Sequence, residues 1–296
     1  MKAEQVIIIG AGPAGLATAI QLKRYGVHPL IFEREQMGGL LRNANFVENY
    51  PGFPQGISGL ALVDLFIRQT KNLGIAVTYE EVTELGYEKG SFRVTTKRKS
   101  YASRLVVIAT GTKPLQFKHL LIPDDISDIV LYEVKELLQI ECKHIVIAGS
   151  GDAAFDYALN LSRKNRITLL NRSDQPKCLL LLWERARKVG DITYHNNTEI
   201  KQLGKDTDGG LWLDCQTDSG RLQLHADYFV GAIGREACLD FLPDVILKQA
   251  QELQEQGILH MIGDVKNGIY RQTAIAIGEG VMTAMKICRQ LEEISE

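Results

Sequence analysis

Two glycine loops hold the residues whose types and spacing could do chemistry. Gly10-Ala11-Gly12-Pro13-Ala14-Gly15 fits G-x-G-x-x-G, and Gly149-Ser150-Gly151-Asp152-Ala153-Ala154 fits G-x-G-x-x-A. In the first loop Gly10 permits a tight turn and Gly12 lets the backbone approach a pyrophosphate. Gly15 lets the next helix pack close to its strand, and the free N–H groups and dipole of that helix favour an anion. Glu33 follows about twenty residues on, where a carboxylate binds ribose hydroxyls. The second loop lacks such a carboxylate. The chain after it reads Leu170-Asn171-Arg172-Ser173-Asp174, then Lys177. Arg172 and Lys177 suit a 2′-phosphate through charge-assisted hydrogen bonds, which favours NADP over NAD. The plain alternative is a solvated loop with two surface cations.

Each loop needs a strand before it and a helix after it. Val6–Ile9 is a β-branched run, Pro13–Tyr25 is apolar-periodic and Pro29–Glu33 is a second short strand, which together make a βαβ unit. A helix is expected around Ser58–Leu73 and a buried strand at Leu105–Ala109. Ala76–Tyr79 and Ser91–Thr96 read as a small antiparallel sheet. The unit then repeats, with a strand at Ile145–Ala148, a helix at Phe155–Arg163 and a strand at Ile167–Leu170. Beyond Pro243 the sequence predicts a strand at Ile258–Ile262 and a long amphipathic helix at Thr273–Leu291, without a third glycine loop. A lone strand and helix cannot make a core, so they are expected to return to the first domain.

The bulk properties agree. At 296 residues the chain is long for one compact core and comfortable for two. It is 45% hydrophobic and 24% charged, as a globular protein is, and its net charge of -2 gives no electrostatic case for nucleic acid or membrane as the main partner. The N-terminal apolar run is short and ends in a glycine loop, so it reads as a strand rather than a signal peptide. Leu179–Trp183 is too short to span a bilayer. Cys142, Cys178, Cys215, Cys238 and Cys288 are spread out, as reduced cysteines in a cytoplasmic protein are. His28, His119, His144, His195, His225 and His260 match no metal or triad spacing. His260 is expected to be a packed strand residue, and no metal site is expected.

GAGPAG, the GGLL of 38–41, ENYPGFP at 48–54, ATGTKP at 109–114 and GDVKNGIYRQ at 263–272 resemble, in order and spacing, the low-molecular-weight thioredoxin reductases. The resemblance covers nearly the whole chain. It implies an α/β fold of two Rossmann-like dinucleotide-binding domains, with the NAD(P)H domain (114–243) inserted into the FAD domain (1–113 plus 244–296). It implies FAD at Gly10, Gly12, Pro13, Ala14, Gly15, Glu33, Gly39, Leu40, Leu41, Asn49, Val82, Ala109 and Gly111. It also places Gly263 and Asp264 on the flavin's sugar-alcohol chain, and Arg271, Gln272 and Thr273 beside the isoalloxazine. A helix starting at Thr273 would stabilise negative charge on a reduced flavin. NADPH is implied at Gly149, Gly151, Asp152, Ala153, Asn171, Arg172, Lys177 and Ile233.

One departure decides the chemistry. Thioredoxin reductases carry C-x-x-C just before the second loop, and here that place reads Tyr132-Glu133-Val134-Lys135. A dithiol relay needs two thiols within bonding reach, one of them with a depressed pKa. A hidden pair, such as Cys142 with Cys178, is the alternative. The local sequence, Tyr132 with Val134 and Gly151-Asp152 followed by Asp156-Tyr157-Ala158-Leu159, resembles the thioredoxin-reductase-like ferredoxin–NADP reductases. That implies electron flow from NADPH through FAD to a ferredoxin or flavodoxin, or to a small-molecule acceptor, in a homodimer. No side chain is expected as general acid or base, because the chemistry is the cofactor's. The rivals are a disulfide or small-molecule reductase, and a non-catalytic FAD-binding sensor or assembly protein. The sensor rival is supported by Asn171 and Ser173, where the family usually has basic residues.

Overall fold

A computed structural model describes residues 4–295. The first stretch carries β1 (Glu4–Ile9), α1 (Pro13–Arg24), β2 (Leu30–Glu33), α2 (Gly59–Asn72), β3 (Val77–Tyr79), β4 (Val82–Glu88), β5 (Ser91–Thr96) and β6 (Ser100–Ile108). The middle carries β7 (Thr112–Pro114), β8 (Val130–Leu131), β9 (His144–Ala148), α3 (Asp152–Leu161), β10 (Arg166–Leu170), α4 (Leu180–Ala186) and β11 (Ile192–His195). It continues with β12 (Glu199–Lys205), β13 (Leu211–Thr217), β14 (Gly220–Ala226), β15 (Tyr228–Gly231) and β16 (Arg235–Ala237). The chain closes with α5 (Asp244–Glu255), β17 (Leu259–Met261) and α6 (Thr273–Ser295).

The described residues form two compact units. One takes in the chain up to Arg42, Val47–Lys113 and the chain from Glu236 on, and the other takes in Asn43–Phe46 and Pro114–Arg235. The return therefore falls at Glu236, not at the expected residue 244. Phe241 and Leu242 are the reason, because they are buried in the first unit's core together with Ile246 and Leu253 of α5. That helix escaped the sequence reading because only Ile246, Ala250 and Leu253 form its buried stripe, while the apolar Val245 and Leu247 beside them are exposed and blur the period.

In the first unit β1 pairs in parallel with β2 and β6, β3 extends the sheet beyond β2, and β17 pairs in parallel with the C-terminal half of β6. The returning strand thus completes the first sheet, as expected. Successive side chains of a strand face opposite ways, so β1 feeds two cores. Val6 and Ile8 pack with Leu16 of α1 and Ala284 and Ile287 of α6, whereas Ile7 and Ile9 pack with Phe92, Val94 and α5. The expected antiparallel pairing of 76–79 with 91–96 is corrected. β3 is a parallel edge strand, and β5 lies between β4 and residues 100–103 of β6. β4 was missed because it is half polar, and its turn to β5 is a tight one with Lys89 and Gly90 both at positive φ.

The second unit repeats this plan. Its parallel sheet runs β11-β10-β9-β15-β8. Ile145 and Ile147 face Phe155 and Ala158 of α3, while Val146 and Ala148 face Leu203, Leu211 and Leu213 of an antiparallel sheet, β12-β13-β14. No helix among the described residues is long and apolar enough to cross a membrane.

Candidate nucleotide-binding sites

In the first unit the loop after β1 is locked at two of its glycines and open at the third. A Cβ on Gly10 would lie 2.4 Å from the Ala109 carbonyl oxygen, and one on Gly15 would lie 2.0 Å from the Gly10 carbonyl oxygen. A Cβ on Gly12 would meet nothing nearer than the Gly39 Cα, at 4.0 Å. Protein packing accounts for Gly10 and Gly15, while Gly12 leaves a cradle suited to a pyrophosphate at the start of α1. Pro13 and Ala14 open that helix, and Ala14 is buried. The Ala11 carbonyl accepts from the Gly38 N–H at 2.8 Å, which brings Gly39, Leu40 and Leu41 beside the loop. Glu33 is fixed by two backbone donors, Ala11 N–H to Oε2 and Glu35 N–H to Oε1, each at 2.9 Å. The carboxylate is thereby held against the glycine loop.

Residues far apart in sequence join this unit. Asn49 Nδ2 donates to Gln272 Oε1 at 2.7 Å. Gln272 precedes α6, which starts at Thr273, and the Arg271 guanidinium turns back onto the Gly268 carbonyl of its own loop. Gly263 and Asp264 form a single 3-10 turn with Val265. Gly263 has φ +73, and a Cβ there would come 3.0 Å from Ala14 Cβ. The C-terminal turn and the first glycine loop are therefore in direct contact. Ala109 and Val82 are buried, and the Gly111 carbonyl accepts from the Cys238 N–H.

In the second unit the same division recurs. A Cβ on Gly149 would lie 2.4 Å from the Ala232 carbonyl oxygen, while one on Gly151 would meet nothing within 4 Å. The loop also carries its neighbour. The Ser150 carbonyl accepts from the Lys177 N–H at 2.8 Å, and Asp152 Oδ1 accepts from the Leu179 N–H at 2.8 Å. Asp152 thus braces the basic segment, and its oxygen is turned onto the backbone. Ala153 and Arg172 are exposed, and Ile233 is 38% exposed. The Glu199 carboxyl is drawn down chiefly by its hydrogen bond to Lys201, with Arg172 adding to the effect.

Asn171 is corrected. It is buried, its Nδ2 donates to the Gln175 carbonyl and Tyr194 Oη, and its Oδ1 accepts from the Ser173 N–H. With every polar atom used it shapes the loop that presents Arg172 and Lys177, and it has nothing left for a phosphate. Nothing in sequence reveals this, because the partners of its amide N–H groups are a later loop carbonyl and a residue on the next strand, β11.

The dithiol position holds packed residues. The Tyr132 ring lies against Phe117 and crowds Gly231, Glu133 pairs with Arg235 at 2.9 Å and Asn43 at 3.1 Å, and Val134 is fully buried. All five cysteines are free. Cys142 precedes β9 and Cys178 follows β10, so the two sit at opposite ends of parallel strands and cannot pair. Burial pushes the thiols of Cys178, Cys215, Cys238 and Cys288 up, Cys215 to about 11. A redox thiol needs the reverse. Glu279, which sequence reasoning passed over, accepts from the Gly263 N–H at 2.6 Å. Its signal was a lone carboxylate between Gly278 and Gly280 in an apolar helix.

Two Rossmann-like units, the second inserted into the first and each with an open glycine cradle, define a two-nucleotide oxidoreductase class. The chain belongs to the pyridine nucleotide-disulphide oxidoreductase family, whose model matches residues 4–280. That family binds FAD and NADPH. The chain is 30% identical over 295 residues to a thioredoxin reductase of Treponema pallidum, covering 94% of both chains. It is 30% identical over 237 residues to a ferredoxin–NADP reductase of Ignicoccus hospitalis, covering 78% of this chain and 76% of that one. Among solved structures, a thioredoxin reductase of Lactococcus lactis superposes with a TM-score of 0.85 at 23% identity, covering 98% of this chain and 99% of that one, a likeness of fold.

Proposed function

We propose that this protein carries electrons from NADPH, through bound FAD, to an external electron carrier of the ferredoxin or flavodoxin type. The observation that carries this reading is the region 132–135, where an aromatic ring, an ion pair and a core valine occupy the place of a dithiol. Electrons leaving the flavin then have no internal thiol to reach, and an outside acceptor must come to it. One relative bears the name ferredoxin–NADP reductase, which supports the same reading.

In this reading Gly12 and Gly39 admit the FAD pyrophosphate, Glu33 binds its adenosine ribose and Asp264 binds the sugar-alcohol chain. Asn49, Gln272 and the start of α6 lie by the isoalloxazine. Gly151 admits the pyrophosphate of NADPH, while Arg172 and Lys177 meet its 2′-phosphate. When bound, the flavin supplies hydride acceptance and electron release, and the protein supplies placement and electrostatics.

The test is anaerobic mixing of purified protein with NADPH, followed by a panel of oxidised acceptors. Rapid flavin bleaching and reoxidation by ferredoxin or flavodoxin are expected. Reoxidation by disulfides alone would overturn the acceptor. Absence of bleaching over minutes would favour a non-catalytic FAD-binding role, for which the fully engaged Asn171 and the uncharged Ser173 next to Arg172 are the supporting observations.

A further inference from the structure

Glu279 stands on α6 between two glycines, yet its side chain is only 16% exposed. Three cationic or N–H donors converge on it. Oε2 accepts from the Gly263 N–H at 2.6 Å and from Asn267 Nδ2 at 3.1 Å, and Oε1 faces Lys266 Nζ at 3.3 Å. One carboxylate therefore ties down both ends of the 263–267 loop, the loop that carries Asp264. Hydrogen bonds to an ionised acceptor are the short, strong kind. Without the carboxylate the Gly263 N–H would lose its acceptor in a part-buried place.

The same stretch of α6 is also locked onto α1. A Cβ on Gly280 would lie 2.4 Å from the Ala14 carbonyl oxygen and 3.0 Å from Thr18 Oγ1. Ala14 belongs to the first glycine loop, and Gly263 packs on its Cβ. Glu279 is thus fixed relative to that loop on one side and to Asp264 on the other. We propose that Glu279 is a positioning residue that sets Asp264 for the flavin half of FAD, in register with the Gly10–Gly15 loop that takes the ADP half. The inference rests on the FAD reading and adds to it a residue that touches neither half of the ligand.

The experiment separates the two halves. Full-length protein freed of flavin is titrated with FAD and, separately, with ADP, which meets the Gly10–Glu33 side alone. Glu279→Ala is expected to weaken FAD at least about tenfold, roughly 1.4 kcal/mol, while leaving ADP affinity within about twofold. Glu279→Gln, which keeps the reach, is expected to recover more FAD affinity than Glu279→Asp, which keeps the charge but is a methylene short. Equal FAD affinity in wild type and Glu279→Ala would overturn the proposal, as would equal losses of FAD and ADP. Should Glu279→Ala fail to fold, Asn267→Ala removes one of the same bonds from the loop side. A selective FAD loss there supports the proposal, and unchanged FAD affinity overturns it. Wild type that takes up neither nucleotide would instead remove the FAD reading itself.

Discussion

Gly12 and Gly15 stand three positions apart and answer to different forces. Gly12 has φ -76 and open space where a Cβ would go, so the fold itself tolerates alanine there. Gly15 has none, since its Cβ would strike the Gly10 carbonyl at 2.0 Å. Gly12→Ala is therefore expected to keep the apoprotein's unfolding midpoint and lose bound flavin absorbance. Gly15→Ala should lower stability by about 1–3 kcal/mol through overpacking. A Gly12→Ala protein that keeps its yellow colour would contradict this division. In the second unit Arg172→Ala is expected to raise the KM for NADPH more than that for NADH, because only the 2′-phosphate is lost as a partner. Steady-state kinetics with both nucleotides decide it. His260 makes a pH prediction. Burial holds its pKa down at about 4, and its buried Nε2 has no hydrogen-bond partner among the described residues. Above about pH 6.5 both folded and unfolded chains hold it neutral. Between pH 6.5 and 4 only the unfolded chain takes the proton, so stability falls on acidification, by about 3 kcal/mol at most. Asp156 works the other way: burial raises it to about 6, so the folded chain takes its proton first and gains stability as pH falls. Denaturant unfolding from pH 7 to 4.5 should show a shallower loss for His260→Gln and a steeper one for Asp156→Asn. Curves parallel to wild type would refute both assignments.

At the scale of elements, α1 and α6 meet through small residues. Gly280 lies on α6 where the Ala14 carbonyl and the Thr18 hydroxyl of α1 come closest, and Ala276, Ala284 and Ile287 continue the seam into the core of β1 and β6. A methyl group at 280 would push the helices apart along their contact. Gly280→Ala is expected to cost about 1–3 kcal/mol in chemical denaturation and to loosen FAD as well, since Glu279 moves with the helix. Unchanged stability would mean that the helices adjust without cost. The Thr273 helix was legible in sequence from its periodicity, as was a helix around Ser58–Leu73; the structure adds the Ser58 cap of α2, whose Oγ accepts from the Ala61 N–H at 3.2 Å. The α5 helix and the β4 strand were not, because their exposed positions outnumber their buried ones.

For the whole molecule, each unit has a sheet built round parallel strands, mixed in the first unit, with a core on both faces, and the first is completed by chain that returns after the second. Nothing in that build needs a thiol. Each cysteine replaced singly, by serine where exposed and by alanine at the buried Cys215 and Cys288, should leave NADPH-driven reduction of an artificial one-electron acceptor within about twofold of wild type. The assay is turnover normalised to bound flavin. One variant that keeps fold and flavin but loses turnover would reveal a thiol relay.

The glycine loops, their flanking strands and helices, the carboxylate at Glu33 and the missing dithiol were determined by sequence alone. These are local features, in which periodicity and backbone requirements act over a few residues. Tertiary structure decided the rest. It joined Asn49 to Gln272 and Gly263 to Ala14, moved the unit boundary to Glu236, spent Asn171 on its own loop and put Cys142 and Cys178 at opposite ends of a sheet. It also gave Glu279 its three partners. Each of these depends on which side chains and carbonyls meet once the sheets have assembled, and residue type and spacing carry no record of that meeting.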